Sequence, residues 1–342
     1  HARSRTREHY ALSRVSAAAG HVEVANATNM TTGEIRFLWR NDDWSGIGGA
    51  NITAVDVSNN RFVGNVDRGP GSIFNQRRDL NLFGEMSTPE FHSMRLTVGG
   101  RILRSRLVSE VHPAGYTIQQ EGSGKISETL VAPSVAFLVK PTNTVTLFGR
   151  YQEGFRPSEI SIMAGKAAPL RSERLSSKEI GIRIHGKSLT MSASAAFSNW
   201  NNVQADLLDT KDWTTVVGIG NGLLRSFCMD LFLVPKPSWE FRVSVVANHS
   251  RMIGIPSTTL SPQPDGSYDV IYLPGSVSKI PNVAGTALIS ARYTAASIAL
   301  HRLSFEAQAN YVGRSAPGVG QVLSRSVGGY VTMRGGVTLT KG

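Results

Sequence analysis

The stretch LSFEAQANY, residues 303–311, alternates apolar and polar side chains without interruption. Successive side chains of an extended strand point to opposite faces, so this segment has one apolar face and one polar face. The same alternation recurs in residues 35–40, 93–102, 189–197 and 241–248, and several of these runs are about ten residues long. That length is typical of a tilted membrane-spanning strand, and it is about twice the usual strand of a soluble sheet.

The links between these runs are alternately short and long from residue 58 onwards. Outer-membrane barrels have tight periplasmic turns at one rim and large extracellular loops at the other, which produces this pattern. A probable turn at residues 41–43 precedes them. The short links are Ser87–Glu90, Pro141–Asn143, His185–Lys187, Pro235–Pro237 and Tyr293–Ala295, and the long links lie near 58–72, 109–127, 153–176, 201–223, 251–281 and 313–327.

These features predict an all-β fold, an antiparallel up-and-down transmembrane β-barrel with about 14 strands, in which residues 1–342 form a single barrel domain. No segment reaches the ~18 consecutive apolar residues of a membrane helix, and only helices and closed barrels satisfy their backbone groups in lipid. Transporter barrels have about 22 strands and a plugged lumen, so the chain is either a smaller porin or part of a larger barrel. A soluble β-sandwich or propeller, the alternative, predicts shorter and more evenly spaced strands.

Composition and motifs exclude several classes of function. The formal charge is +11, but the charges are dispersed and no nucleic-acid-binding motif is present, which argues against a nucleic-acid partner. A single cysteine, Cys228, cannot form an intrachain disulfide, and the 8 histidines show no metal-ligand spacing. Neither Gly46–Asn51 nor Gly122–Lys125 fits a nucleotide-binding glycine loop. With no catalytic motif either, we expect no enzyme, no cofactor and no bound metal.

A series of short motifs, in a shared order across about 230 residues, resembles the TonB-dependent outer-membrane receptor family. Residues 82–85 and 96–101 are similar to its paired strands that end in Gly-Arg. Residues 151–159 resemble its "GFRPPE" loop entrance, residues 170–181 its "L.PE…YEIG" element, and residues 197–204 the strand end that follows. Residues 221–225 resemble a strand entrance, residues 273–283 its "LPNVP" turn, and residues 311–314 a late strand exit. The motif positions are Gly154, Phe155, Pro157, Glu173, Glu179, Gly181, Trp200, Asn221 and Arg225.

The sequence also departs from the family pattern. Cys228 stands where the family usually has Gly, Asp230 where it has Glu, and residues 170–173 lack the usual Pro. Nothing resembles the family's plug domain or its TonB-contacting box, and residues 338–342 lack the terminal aromatic. The resemblance therefore implies a partial barrel without its plug.

The resemblance implies energised uptake of a scarce nutrient across the bacterial outer membrane. Extracellular loops capture a small molecule, and a plug pulled by TonB opens the path, without chemistry on the cargo. A ferric siderophore is the first expectation, followed by cobalamin or an oligosaccharide. The expected partners are TonB through the plug, outer-membrane lipid and the extracellular nutrient. A passive porin or an autotransporter-type barrel is the competing class.

Two sets of residues are candidates for ligand binding. If the apolar partners face lipid, six arginines point inward, since each would cost about 2–4 kcal/mol in mid-membrane. An arginine-rich lumen attracts an anionic cargo, although pairing with acidic residues of a plug or of neighbouring strands explains the arginines as well. Aromatic side chains in the long links are suited to stacking on a sugar or catechol, or to ordinary loop packing. The arginines are Arg36, Arg40, Arg95, Arg101, Arg150 and Arg242, and the aromatic residues are Tyr116, Trp213, Tyr268 and Tyr272.

Overall fold

The computed structural model describes residues 2–12, 22–41, 43–63, 71–112, 122–163, 166–208, 214–253, 258–262, 268–272, 282–283, 285–295, 301–316 and 327–341. Within these ranges the chain is built from β-strands. In chain order they are β1 (Ala2–Leu12), β2 (Val22–Arg40), β3 (Ser45–Val63), β4 (Gly71–Ser87), β5 (Met94–His112), β6 (Gly122–Val139), β7 (Val145–Arg156), β8 (Ile160–Met163), β9 (Lys166–Pro169), β10 (Glu173–His185), β11 (Leu189–Leu208), β12 (Thr214–Lys236), β13 (Trp239–Ile253), β14 (Thr258–Pro262), β15 (Tyr268–Tyr272), β16 (Asn282–Val283), β17 (Gly285–Thr294), β18 (His301–Val312), β19 (Ser315–Ala316) and β20 (Tyr330–Lys341).

Fourteen of these strands form one antiparallel sheet in the order β1-β2-β3-β4-β5-β6-β7-β10-β11-β12-β13-β17-β18-β20. Each strand pairs with the next main strand along the chain, which confirms the up-and-down topology and the expected strand number. The sheet has two ends, β1 and β20, and these are not paired with each other in the described residues. The six short strands form three separate two-stranded pairs. No helix in the described residues is long and apolar enough to span a membrane.

The register gives the sheet one continuous apolar face. Paired residues share a face, so Phe305 lies beside Tyr293 on β17 and Val337 on β20. The same face carries Phe37 on β2, which is 66% exposed, and Ile180 on β10, which is 62% exposed. Large exposed apolar side chains across the whole sheet indicate a lipid-facing surface.

The opposite face carries both polar and apolar side chains and is the more buried face of the sheet. On β5, buried side chains alternate with exposed ones from Ile102 to Ser109, and Leu103, Ser105 and Leu107 are all buried. On β6, Leu130 and Ala132 are buried on the same side. Burial on one face only is expected of a barrel wall whose inner side chains cover one another. We call this side the lumen face.

The apolar face is a band of limited height. On β5 its members run from Met94 to Ile102, and the next side chain on that face is Arg104. Eight steps of ~3.4 Å along a strand tilted by ~40° rise about 21 Å, close to the ~25 Å apolar band of outer-membrane barrels. Near the short turns, Trp239 lies 4.7 Å from Tyr293, and Tyr293 lies 6.5 Å from Phe305, between ring centroids. These rings form part of an aromatic girdle.

Several strands are longer than the sequence predicted, and this corrects the expected links. Residues 58–72, 109–127 and 201–223 were expected to be long loops, but strands continue through most of each range. The prediction failed because the strict apolar–polar alternation ends where a strand leaves the lipid. Backbone hydrogen bonding continues beyond that point without any need for the alternation. The short links at Ser87–Glu90, Pro141–Asn143 and His185–Lys187 are turns or strand ends, as expected.

One ladder of the sheet stops early, beside a proline. The pairing of β6 with β7 extends from Val139 only to Ser134, and the next residue along β6 is Pro133. Proline has no backbone N–H to donate to a ladder, so it is suited to the point where pairing ends. The residues that follow β7 fill the space above this point, and they position the candidate site.

Candidate functional site

Glu173, a family-motif position, is the centre of a buried hydrogen-bonded cluster at the rim opposite the short turns. The side chain of Glu173 lies at the start of β10 and its residue is 5% exposed. Its Oε2 accepts a hydrogen bond from Trp200 Nε1 at 3.0 Å, and its Oε1 accepts one from the backbone N of Gln204 at 2.7 Å. Arg156 Nη1 lies 3.5 Å from Oε1. We call Glu173, Trp200, Gln204 and Arg156 the Glu173 cluster.

A β-bulge in β11 makes this cluster possible. The register with β12 shifts between Trp200 and Val203 and again between Val203 and Gln204. Asn202 has a left-handed φ of 54°, which asparagine tolerates better than most residues. Its backbone N donates to Asn221 Oδ1 at 2.9 Å, and its Nδ2 donates to the backbone oxygen of Ser172 at 3.1 Å. The bulge therefore turns the backbone of Gln204 towards Glu173.

β8 and β9 form an antiparallel pair after β7, and Ile160 of β8 lies against Gly124 on the lumen side of β6. We call this pair, with residues 157–159 and 170–172 on either side of it, the hairpin. Ser158 is anchored to Glu128 on β6: its backbone N donates to Oε1 at 2.6 Å and its hydroxyl to Oε2 at 2.8 Å. Arg77 on β4 donates to the backbone oxygen of Ser158 at 3.0 Å and forms an ion pair with Glu159 at 2.7 Å. These bonds join β4, β6 and the loop above the early end of the β6–β7 ladder.

The other motif positions have different structural roles. Gly181 lies under the ring of Phe148, so a Cβ there would collide with it, whereas a Cβ on Gly154 would meet nothing within 4 Å. Phe155 lies 4.2 Å below the guanidinium of Arg101, measured to the ring centroid. Pro157 follows β7 directly and begins the hairpin, Glu179 lies opposite Arg150 in the β7–β10 register, and Arg225 lies opposite Phe197 on the apolar side.

The six predicted lumen arginines share the lumen face, but the structure brings only two of them together. Arg101 and Arg150 line one cleft of about 260 Å³, with Gln152 and Glu153 beside them. Arg101 is half-buried, and Arg150 is exposed. Glu85 also lines the cleft, so two guanidinium groups and two carboxylates surround it. The guanidinium groups are suited to hydrogen bonding with carboxylate or phosphate oxygens of a ligand.

The remaining arginines lie apart from this cleft. Arg36 forms an ion pair with Glu34 at 2.5 Å, and Arg95 lies 3.9 Å from Glu90 at a short turn. The guanidinium of Arg242 lies 5.0 Å from the ring centroid of Phe232. Arg40 is the last residue of β2, next to a turn. Arg36 thus pairs with an acid of its own strand and Arg95 with an acid of the adjoining turn, so pairing with acids of neighbouring strands stays a prediction.

Only two of the four candidate aromatic residues lie in the described part of the chain. Tyr116 and Trp213 lie outside the described residues. Tyr268 and Tyr272 are the two ends of β15, where their backbones pair with Pro262 and Thr258. Their role in ligand stacking stays a prediction.

Sequence reasoning missed most of the residues that build the Glu173 cluster and its hairpin. Arg77 and Glu128 were not singled out, and Arg156, Ser158 and Gln204 were quoted only as parts of motifs. A polar residue inside an otherwise regular pattern is the available signal, but it does not identify a partner 30 or more residues away. In the described part of the chain, no group of three or more His, Cys, Asp or Glu residues is arranged to hold a metal ion.

Comparisons with known proteins give one family and one fold. Residues 4–339 match the family model "TonB dependent receptor-like, beta-barrel". The ferric yersiniabactin uptake receptor FyuA from Yersinia pestis superimposes with a TM-score of 0.72 at 15% identity, over 98% of this chain and 50% of that chain. The copper transporter OprC superimposes with a TM-score of 0.69 at 12% identity, over 97% of this chain and 52% of that chain. BauA, the ferric preacinetobactin receptor from Acinetobacter baumannii, superimposes with a TM-score of 0.62 at 13% identity, over 99% of this chain and 52% of that chain.

The chain thus spans about half the length of these three solved structures. At identities this low, the likeness to them shows the fold alone. No curated protein sequence matches the chain.

Proposed function

The chain belongs to the TonB-dependent receptor family as a β-barrel wall of the bacterial outer membrane, and we propose that it serves the energised uptake of a scarce nutrient. The observation that carries this proposal is the family match over residues 4–339, on a sheet with an apolar, exposed band on one face and a more buried lumen face on the other. Such a wall separates lipid from an aqueous path.

A ferric siderophore is the first candidate for the cargo. The guanidinium groups of Arg101 and Arg150 in one cleft support an anionic ligand, because such groups bind carboxylate and catecholate oxygens through charge-assisted hydrogen bonds. Two of the solved proteins with this fold are named as receptors for ferric yersiniabactin and ferric preacinetobactin, and a third is named as a copper transporter. The fold itself is therefore compatible with more than one cargo.

Transport is proposed to depend on parts of the receptor other than this wall. Residues 1–342 form the wall as one domain, a plug domain closes the lumen, and TonB pulls the plug to admit the cargo. The family consists of receptors and transporters, and we propose that the wall binds and guides the cargo without catalysing a reaction. Its further partners are outer-membrane lipid and the extracellular nutrient.

Uptake of radiolabelled iron, presented as ferric siderophores to iron-limited cells that express the receptor, tests this function. We expect uptake that stops when TonB is deleted. The double variant Arg101→Gln/Arg150→Gln should raise the half-saturating concentration about tenfold or more, as expected for the loss of charge-assisted hydrogen bonds. The control is Arg302→Gln, an exposed cation at the short-turn end of β18.

Uptake that persists without TonB would contradict the energised mechanism and favour a passive pore. TonB-dependent uptake of another nutrient, with no uptake of any ferric siderophore, would retain the mechanism and refute the cargo. Equal half-saturating concentrations for the Arg101→Gln/Arg150→Gln variant and for the control would refute the role of the cleft.

A further inference from the structure

The apolar face of the sheet becomes basic directly above the lipid-facing band. On β5, the apolar side chains end at Ile102, and Arg104 and Arg106 follow on the same face. On β4, Leu80 is followed by Arg78 in the direction of the long loops, and Lys125 occupies the same face of β6. All four cationic side chains are exposed. We call Arg78, Arg104, Arg106 and Lys125 the basic patch.

The register places the four cations close together. Arg78 lies directly opposite Arg106, and opposed side chains in an antiparallel sheet have Cβ atoms about 5 Å apart. Lys125 pairs with Val108, which puts it diagonally across from Arg106 at about 7–8 Å. Like charges directly opposite one another destabilise a sheet, so this arrangement is favourable only with anions between or above the cations.

The protein itself supplies few of these anions. Asp56 on β3 forms an ion pair with Arg78 at 2.8 Å, and Glu110 lies farther up β5 on the same face. In the described part of the chain, Arg104, Arg106 and Lys125 have no ion-pair partner. The short turn at the other end of β4 and β5 differs, because there Glu90 is within 2.7 Å of Lys140 and 3.9 Å of Arg95. Unpaired cations are therefore found at the long-loop end of these two strands.

The height of the basic patch identifies its surroundings. Arg104 and Arg78 each lie two residues beyond the last apolar side chain of the band, in the direction of the long loops. Two residues of a tilted strand rise about 5 Å along the membrane normal. Side chains at that level meet lipid headgroups. Lys178 on β10, Arg225 on β12 and Arg251 on β13 also follow the band on the outer face and are exposed, so the change from apolar to basic recurs around the wall.

We propose that the basic patch binds the phosphate groups of anionic lipid headgroups in the extracellular leaflet of the outer membrane. Arginine has a planar group of donors that matches phosphate oxygens two at a time, and it is weakly hydrated, which favours binding at a membrane interface. A phosphate between Arg78 and Arg106 also removes the repulsion of the opposed pair. The proposal depends on the membrane placement of the wall and not on the cargo.

Binding of a short-chain phosphatidic acid to the full chain in nonionic detergent micelles tests the proposal, with the equivalent phosphatidylcholine as the neutral lipid. We expect saturable binding of phosphatidic acid that weakens as the salt concentration rises, because the contact is electrostatic. Arg104→Gln/Arg106→Gln should weaken it about tenfold or more, and Arg106→Gln alone should weaken it measurably. Arg104→Lys/Arg106→Lys should bind more tightly than the glutamine variant and more weakly than the wild-type chain, since the charge remains but the paired donors are lost.

The matched control is Lys187→Gln/Lys236→Gln, which removes two exposed cations from the short-turn rim and should leave binding unchanged. Equal binding by the wild-type chain and both arginine-to-glutamine variants would overturn the proposal, and so would equal binding of phosphatidylcholine. Competition by inorganic phosphate, in the same concentration range as the lipid, would identify a site for free anions and overturn the lipid assignment. A loss of siderophore uptake in the Arg101→Gln/Arg150→Gln variant concerns a different face and decides only the proposed function.

Discussion

Replacing Glu173 by Gln should destabilise the long-loop rim by an amount that can be worked out from its hydrogen bonds. The carboxylate accepts from Trp200 Nε1 on one oxygen and from the backbone N of Gln204 on the other. A glutamine keeps the shape but has only one acceptor oxygen, and its NH₂ group faces a second donor. One donor of this buried cluster therefore loses its acceptor, whichever way the amide turns.

A lost hydrogen bond to a charged acceptor costs about 1.5–3 kcal/mol. The ion pair with Arg156 adds less than about 1 kcal/mol, because the arginine side chain is 45% exposed and its 3.5 Å contact is weak. We expect Glu173→Gln to lower the free energy of unfolding by about 2–4 kcal/mol in total. The matched control, Glu306→Gln, breaks only the exposed pair with Arg292 at 3.2 Å and should cost less than about 1 kcal/mol.

Urea unfolding in detergent micelles, followed by tryptophan fluorescence, measures both variants. The fluorescence of Trp200 itself should change in Glu173→Gln, because its indole N–H loses a charged acceptor. In a Trp200→Phe background the donor is gone, and Glu173→Gln should then cost about 1–2 kcal/mol less. If Glu173→Gln and Glu306→Gln have equal effects, or if the cost is the same in both backgrounds, the reasoning about the Glu173 cluster is wrong.

Three further predictions concern the wall itself. Ala307→Arg places a charge in the middle of the apolar band of β18 and should impair membrane assembly, because a charge facing lipid there costs about 2–4 kcal/mol. Gln308→Arg lies on the lumen face and should be tolerated. Equal heat-modifiable gel mobility of the two variants would contradict the assigned facing. Gly181→Ala should destabilise by about 1–3 kcal/mol because its Cβ meets Phe148 and a backbone oxygen, whereas Gly154→Ala has open space and should be neutral or slightly stabilising in the same urea assay. The hydrogen bond from Lys140 lowers the pKa of Glu90 below its usual range. The pair therefore stabilises the short turn above pH about 4.5, and that contribution is lost as the pH falls through the lowered pKa. NMR titration should show the pKa of Glu90 return to its usual range in Lys140→Gln, and an unchanged pKa would refute the assignment.

Much of the fold could be predicted from the sequence, because the two faces of a barrel strand are determined by the alternation of consecutive residues. The alternation in residues 303–311 predicts which side of β18 faces lipid from neighbouring residues alone, and the structure pairs Phe305 with Tyr293 and Val337 on one face. The number of strands, their antiparallel order and the family all followed from such local patterns and from the order of short motifs. Strand ends did not, because β5 continues to His112 after its alternation has changed character.

The candidate site was only partly predictable, because its contacts join distant residues. Glu173 and Trp200 were both expected as motif positions, yet nothing in their spacing showed that one accepts a hydrogen bond from the other. Arg101 and Arg150 were placed on the lumen face from alternation, but alternation does not show that these two share a cleft while Arg36 and Arg242 lie elsewhere. Strand register, and not the type of residue, determines such neighbours.

The sequence by itself determined the two faces of the wall, since the period of two in a strand makes facing a property of consecutive residues. Only the tertiary structure decided what meets on those faces. The bulge at Asn202 brings Gln204 to Glu173, and the early end of the β6–β7 ladder beside Pro133 leaves room for the β8–β9 pair. It also decided that Arg78 stands opposite Arg106, because the pairing of two strands fixes neighbours that neither strand encodes alone.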